Sequence, residues 1–405
     1  VKPNQKGVPL CSLGLLWDIA AEAFYRVPWL QQLKLRSSYG YSGNVSKTLS
    51  AYLTATASGT NVYGAPFNVI VNPPNPSLRW ERVRIANLAT DFAMFNRKLE
   101  GSVELYAKQG LDLFGESPLA PQTGVLTFNG NTANTSTKGL DISLRSLNLS
   151  GAVTWRTDFQ FSKVKDKVTR YLVANANNGA LVTNPGAYPQ VGFPYFAVFA
   201  YTYAGLDGLG DPLLYIDGQA SKNYAAAINT NNRANVKFMG SSVPTTLGNV
   251  RNSLSYKNVE LSLNITYRLG YVFRRNSLNN QSIYTTTGFT SSTDYNQRWM
   301  KPGDESFTQV PALRYPNIAA RSNAYTYSDI LIETADNIRL QDIRLDYRIS
   351  AGRNRGRAIN LYCYFNNIGY LWKANKLGLD PDNPRPEMGM ISFPRTIAFG
   401  LKTNL

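Results

Sequence analysis

The sequence contains no histidine. That removes imidazole metal ligands, Ser-His-Asp triads and histidine general bases together. Cysteine is nearly absent: Cys11 and Cys363 lie at opposite ends of the chain, and neither sits in a CxxC pair. Both read as isolated thiols rather than a metal or redox site. No run of about 18 apolar residues occurs, so no helix of membrane-spanning length is encoded. P-loop and nucleophile-elbow motifs are missing, and Gly205, Gly208 and Gly210 have the wrong order for a dinucleotide fingerprint. The chain reads as a non-enzyme without a cofactor or metal. Acidic residues number 26 against 42 basic ones, a formal net charge of +16. The basic residues are spread along the chain. That favours solvated side chains on loops and in a wet interior over a surface for nucleic acid or anionic headgroups. A start methionine and a leader are also missing, so the opening Val1-Lys2-Pro3 reads as an internal fragment or processed product.

What the chain has is tyrosine, 25 residues of it, with 18 phenylalanines and much Asn, Ser and Thr. Mean hydropathy is −0.27. Several segments alternate with the period of a pleated strand. Leu99, Gly101, Val103, Leu105 and Ala107 share one face, and Glu100, Ser102, Glu104, Tyr106 and Lys108 share the other. The same split recurs at 140–145, 259–269 and 343–349. Strands are predicted at about 10–22, 29–42, 80–95, 98–110, 136–148, 152–165, 245–257, 259–271, 336–350, 357–368 and 392–405.

The connections alternate in length. Short ones fall near Arg26–Pro28, Asn96–Arg97, Leu149–Gly151, Lys257–Asn258 and Ala351–Gly356. Long ones fall at about 43–79, 111–135, 166–244, 272–335 and 369–391. Outer-membrane barrels have short periplasmic turns and long extracellular loops, whereas soluble sandwiches have no reason for such asymmetry. Strands of about 13 residues exceed the roughly 9–11 needed to cross. The fold class predicted is all-β: a transmembrane antiparallel β-barrel, seen here as about 11 strands of its C-terminal portion. Residues 1–405 would form part of one barrel domain. An odd strand count with termini on opposite sides implies that further strands close it.

Specific segments then resemble the SusC/RagA family of TonB-dependent transporters. They are Leu33-Lys34-Leu35-Arg36-Ser37-Ser38-Tyr39-Gly40 with Gly43-Asn44, Asn75-Pro76-Ser77-Leu78-Arg79-Trp80-Glu81, and Ala204-Gly205-Leu206-Asp207. Gly240-Ser241-Ser242-Val243-Pro244, Arg298-Trp299-Met300-Lys301-Pro302-Gly303-Asp304, Gly378-Leu379-Asp380-Pro381 and Pro394-Arg395-Thr396 follow in family order. The chain differs at Asn366-Asn367-Ile368, where Gln-Asn-Leu is commoner, and at its non-aromatic Leu405. The resemblance implies a barrel of about 22 strands around a plug, with this chain as the second half and the plug and early strands absent from it. It implies TonB-driven import of large nutrients, oligosaccharides or oligopeptides, across the outer membrane. A SusD-like surface lipoprotein would act as a lid, TonB would act through the missing plug, and lipid would surround the wall. It leaves room for a homo-oligomer of such transporter–lipoprotein pairs. The rival reading is a barrel scaffold inside a larger outer-membrane complex, with no transport of its own.

Two sets of residues are functional candidates. In the last strand Phe399, Leu401, Thr403 and Leu405 share a face, with Gly400 opposite. An edge strand of this kind suits a C-terminal barrel-assembly signal. In the long loops Tyr195, Phe196, Tyr201, Tyr203, Trp299 and Tyr315 are candidates for substrate or partner contact, against the plainer reading that they pack a folded loop. Asp207, Asp211 and Asp217 lack the spacing of an EF-hand and read as turn formers.

Overall fold

Alternation of the side chains puts long stretches of this chain into strands, and the strands pair with their sequence neighbours. The structure is a computed structural model. It describes residues 10–44, 50–119, 122, 125, 127–173, 176–280, 293–350, 358–382 and 393–404. Eleven strands form one continuous sheet: β1 Ser12–Asp18, β2 Leu30–Asn44, β3 Glu81–Met94, β4 Leu99–Pro118, β5 Thr127–Leu149, β6 Val153–Tyr171, β7 Thr246–Tyr256, β8 Val259–Leu269, β9 Asn337–Ser350, β10 Ala358–Lys373 and β11 Thr396–Asn404. Spatial order equals chain order, and each neighbouring pair is antiparallel. Among the described residues β1 and β11 are paired on one side only.

The register sorts the side chains cleanly. Leu88, Leu105 and Leu140 stand in one cross-strand row, and Val250, Ile265 and Leu340 in another. This face is left bare: Leu88, Leu105, Leu345 and Leu361 are 48%, 53%, 45% and 40% exposed. A sandwich would bury these leucines against a second sheet. A wall that faces lipid leaves them uncovered by protein. At the short-turn end the same face carries Trp17, Trp155, Tyr256 and Tyr347, all exposed, while Trp29 stacks on Phe95 beside a tight turn. Such amphipathic rings suit the membrane–water boundary. The fold is that of a transmembrane antiparallel β-barrel wall.

Several tyrosines have a second task. Tyr106 lies opposite Gly139, Tyr267 opposite Gly248 and Tyr362 opposite Gly400. A Cβ at any of these glycines would overlap the ring. The ring thus fills the space above the glycine and ties the two strands.

The strand limits differ from expectation where the alternation changes phase. The expected 111–135 connection is mostly strand, because β4 continues to Pro118 and β5 begins at Thr127. The register shifts between Gly110 and Leu113, where Asp112 has a φ of 57°. This bulge resets the pattern that marked the strand. β6 likewise runs on to Tyr171 and β10 to Lys373. In the other direction, β1 stops at Asp18, and a 3-10 turn at Ile19–Ala21 makes the first connection longer than expected. The expected turn at Ala351–Gly356 and residue Leu405 lie outside the described residues.

Above the wall the two longest connections fold together into a cap. It contains helices α1 Asn178–Thr183, α2 Tyr224–Ile228 and α3 Ala319–Thr326. Short strands pair Val236–Ser241 with Ala197–Tyr201, and Val272–Arg274 with Ile332–Thr334. Asn177 and Asn223 cap α1 and α2 by accepting from the amides of Ala180 and Ala226. Leu181, Phe199, Tyr201 and Leu214 from one connection share a core with Leu278, Trp299, Val310, Tyr325 and Leu331 from the other. Each such fully buried side chain contributes roughly 1.5–3 kcal/mol.

Candidate functional site

The face of the wall opposite the leucines is polar, and the register gathers its charges into rows. One row takes a residue from each of β4 to β11: Glu100, Arg145, Asp158, Arg251, Asn264, Asp342, Asn366 and Thr396. Acid and base alternate over its first four members, Glu100, Arg145, Asp158 and Arg251. Arg145 Nε donates to Asp158 at 2.7 Å, and Asn264 Nδ2 donates to Asp342 at 2.9 Å. Arg251 reaches Asp342 at 3.5 Å. Asp342 is nearly buried and owes its position to a bulge at Gln341, which shifts the register against β8. Beside this row, Glu104 lies directly opposite Asp141, which accepts from Ser162 Oγ at 2.5 Å.

A concavity of about 900 Å³ opens over β4 to β8, lined by Glu104, Asp141, Arg145, Asp158, Arg251 and Arg268 among others. It offers charged groups of both signs beside apolar side chains such as Leu247. Among the described residues no cluster of acidic or thiol groups is arranged to hold a metal. The face presents many hydrogen-bonding groups, each worth little by itself.

The last long connection folds back onto this face. Asp382 accepts from Arg268 Nη1 at 2.6 Å and from Arg339 Nη1 at 3.1 Å. The Arg339 guanidinium also lies 4.7 Å from the Tyr370 ring centre. Asn367 anchors the same corner. Its φ of 60° suits asparagine, and its side chain donates to the carbonyls of Phe393 and Pro394.

Comparison with known proteins places this wall. TonB-dependent receptor P3 of Formosa agariphila is 25% identical over 406 residues, covering 94% of this chain and 39% of that protein. Receptor P26 of the same organism is 25% identical over 434 residues, covering 96% and 42%. The RagAB peptide transporter superposes with a TM-score of 0.70 at 21% identity, over 92% of this chain and 40% of that one. The chain is similar to TonB-dependent receptors and has the fold of an outer-membrane transporter wall. It spans about two fifths of the length of the curated relatives it matches. No family model matches it.

The candidate aromatics of this receptor-like chain divide by burial. Tyr201, Tyr203 and Trp299 are inside the cap core, 1%, 9% and 9% exposed. They pack the folded loops and leave no ring face free. Trp299 Nε1 donates to Glu305, and its ring presses on Gly210, whose φ of 76° and absent side chain both fit that contact. Tyr195, Phe196 and Tyr315 are exposed, the first two meeting edge to face at 5.0 Å. Burial pushes the phenol of Tyr325, in the same core, up to about 12.

Asp207 shapes a turn by accepting from the amides of Leu209 and Asp211, and it meets Lys222 at 2.6 Å. Burial works against its charge, yet Lys222 and the two amides outweigh it and hold the carboxyl below its ordinary range. Asp211 binds Arg321, so protein cations already occupy both carboxylates. In β11, Ile397, Phe399, Leu401 and Thr403 share the bare apolar face, and Phe399 is 79% exposed.

The polar row across eight strands is the site that sequence reasoning did not assemble. Glu100, Arg145 and Asn264 were visible as polar members of an alternation, but the alignment of the whole row across strands depends on register. Asp382 carried no local signal beyond its nearness to Gly378-Leu379-Asp380-Pro381.

Proposed function

We propose that this chain forms the C-terminal part of the barrel of a TonB-dependent importer of large polar nutrients, oligosaccharides or oligopeptides. The observation that carries the reading is the single-layered wall with bare leucines on one face and the charged row Glu100–Arg145–Asp158–Arg251–Asp342 on the other. A wet, charged lumen serves passage and binding rather than covalent chemistry. The unpaired edges of β1 and β11 call for more strands, since open sheet edges do not face lipid. The extra length of the relatives leaves room for those strands and for a plug that TonB would pull. The exposed face of β11 suits recognition by the barrel-assembly machinery.

A surface lipoprotein of the SusD type is the proposed lid. The extracellular hairpin Thr54–Thr60 and Pro66–Asn72 carries exposed Val62, Tyr63, Phe67, Val69 and Val71, and Phe307 and Tyr315 are exposed on the cap. Apolar side chains clustered this way mark a surface that a partner covers. The RagAB peptide importer is named for a peptide cargo and has "open-open" and "closed-closed" states. A lumen with both signs of charge suits a zwitterionic oligopeptide. The test is uptake of labelled oligopeptides and oligosaccharides by cells that carry or lack the intact gene. Import should require the gene, TonB and the membrane potential. Uptake that is unchanged by deletion would leave the barrel as a scaffold.

A further inference from the structure

The basic residues look dispersed in sequence, but the register collects four lysines on the outer side of the wall. Lys138 of β5 lies directly opposite Lys165 of β6, with Leu140 opposite Lys163 and Ser136 opposite Lys167. These pairs continue the column of Ile142–Phe161 and Leu144–Phe159, which belongs to the bare apolar face. All four lysines are exposed, and none joins an ion pair among the described residues. Like charges directly across a strand pair repel. Arg84, further along the outer face, is taken by Gln109 and does not belong to the cluster.

Their height on the wall is specific. β6 leaves a short turn and presents Val153, Trp155, Thr157, Phe159 and Phe161 outward before reaching Lys163. That interval matches the roughly 9–11 residues a tilted strand needs to cross hydrocarbon. The lysines therefore stand at the level of the outer-leaflet headgroups. Beside them the rows continue as Ala86–Ala107 and Leu88–Leu105, a smooth apolar floor.

We propose that Lys138, Lys163, Lys165 and Lys167 bind the phosphates of an outer-leaflet glycolipid whose acyl chains lie on Leu105, Leu140, Ile142 and Phe161. Continuity between the cationic cluster and the apolar belt selects this occupant. A free anion would use only the lysines, and a soluble protein would not need the belt. The inference rests on the wall facing lipid and does not depend on import.

The test uses the intact protein in detergent micelles and three probes: bis-phosphorylated lipid A, its fully dephosphorylated form, and inorganic phosphate. The triple variant Lys138→Gln, Lys163→Gln, Lys165→Gln should keep the heat-modifiable gel mobility of a folded barrel. Its affinity for phosphorylated lipid A should fall about tenfold or more. Lys108→Gln, on the lumen face, should change nothing. Should the triple variant misfold, the unaltered protein still decides, because it must prefer phosphorylated over dephosphorylated lipid and lose that preference in high salt. Equal binding of the two lipids would overturn the proposal. So would unchanged lipid binding by a folded triple variant, or inorganic phosphate binding as tightly as the lipid.

Discussion

In the cap, the fully buried side chains include Leu181, Tyr201, Leu214 and Leu331; in the wall, the buried ones include Ser262, Asn264, Arg339, Asp342 and Asn367. The two regions belong to one chain and bury opposite chemistry. The cap faces water and hides its apolar groups, as a soluble domain does. The wall shows its leucines outward, and the side chains it shields sit against the lumen. Two solvents thus act on neighbouring parts of one sequence. Burial of a leucine marks folding in the cap, while exposure of a leucine marks membrane contact in the wall.

The sharpest way to break the comparison is to remove a buried cation from the cap. Arg321 is 4% exposed, and its guanidinium donates to Asp211 at 2.6 Å and to the carbonyls of Gly210 and Ala312 at 3.0 and 2.8 Å. Arg321→Met leaves Asp211 and two carbonyls without this partner and should cost the cap about 3–5 kcal/mol. Hydrogen exchange should show lost protection in 176–245 and 293–335 and none in the wall. A plain cavity comes next: Leu331→Ala, at a fully buried position, should destabilise the cap by about 2–5 kcal/mol. Urea unfolding followed by a cap-specific probe would read that change.

The wall should respond to charge and not to cavities. Leu144→Arg, level with Phe159 inside the apolar belt, should cost roughly 2–4 kcal/mol of barrel stability. Ser143→Arg, the next residue in β5 but on the lumen face, should stay within about 0.5 kcal/mol. Reversible unfolding into lipid vesicles measures both. The smallest effect belongs to Asp207. Its carboxyl titrates lower when folded than when unfolded, so the stability it supplies is full above the unfolded value. That contribution fades as pH falls through the lower folded value. Asp207→Asn should flatten the acid limb of cap stability and leave the wall unchanged.

Most of the wall was legible because period-two alternation survives one-sided exposure to lipid. The polar partners of Val103 or Leu261 could be named before any pairing was known. What stayed hidden depends on geometry between strands. The bulge at Asp112 interrupts the alternation of β4, so its upper part looked like loop. The row Glu100–Arg145–Asp158–Arg251–Asn264–Asp342 joins segments up to hundreds of residues apart and has no local trace. The lysines of β5 and β6 looked scattered for the same reason. In the cap, the aromatic crowding at 195–203 was visible, but which rings turn inward depends on contacts with Leu278 and Val310 from another connection.

Cysteine scanning of β4 from Gly101 to Lys108 tests the central claim most directly. Cys11 and Cys363 would first be replaced by serine, and each new cysteine would then carry a spin label in lipid vesicles. The account predicts that labels at 101, 103, 105 and 107 collide with dissolved oxygen from the bilayer. Labels at 102, 104, 106 and 108 should instead collide with a water-soluble nickel chelate. Protection of the odd-numbered labels from both reagents would mean that a second protein layer covers the leucines, and would contradict it.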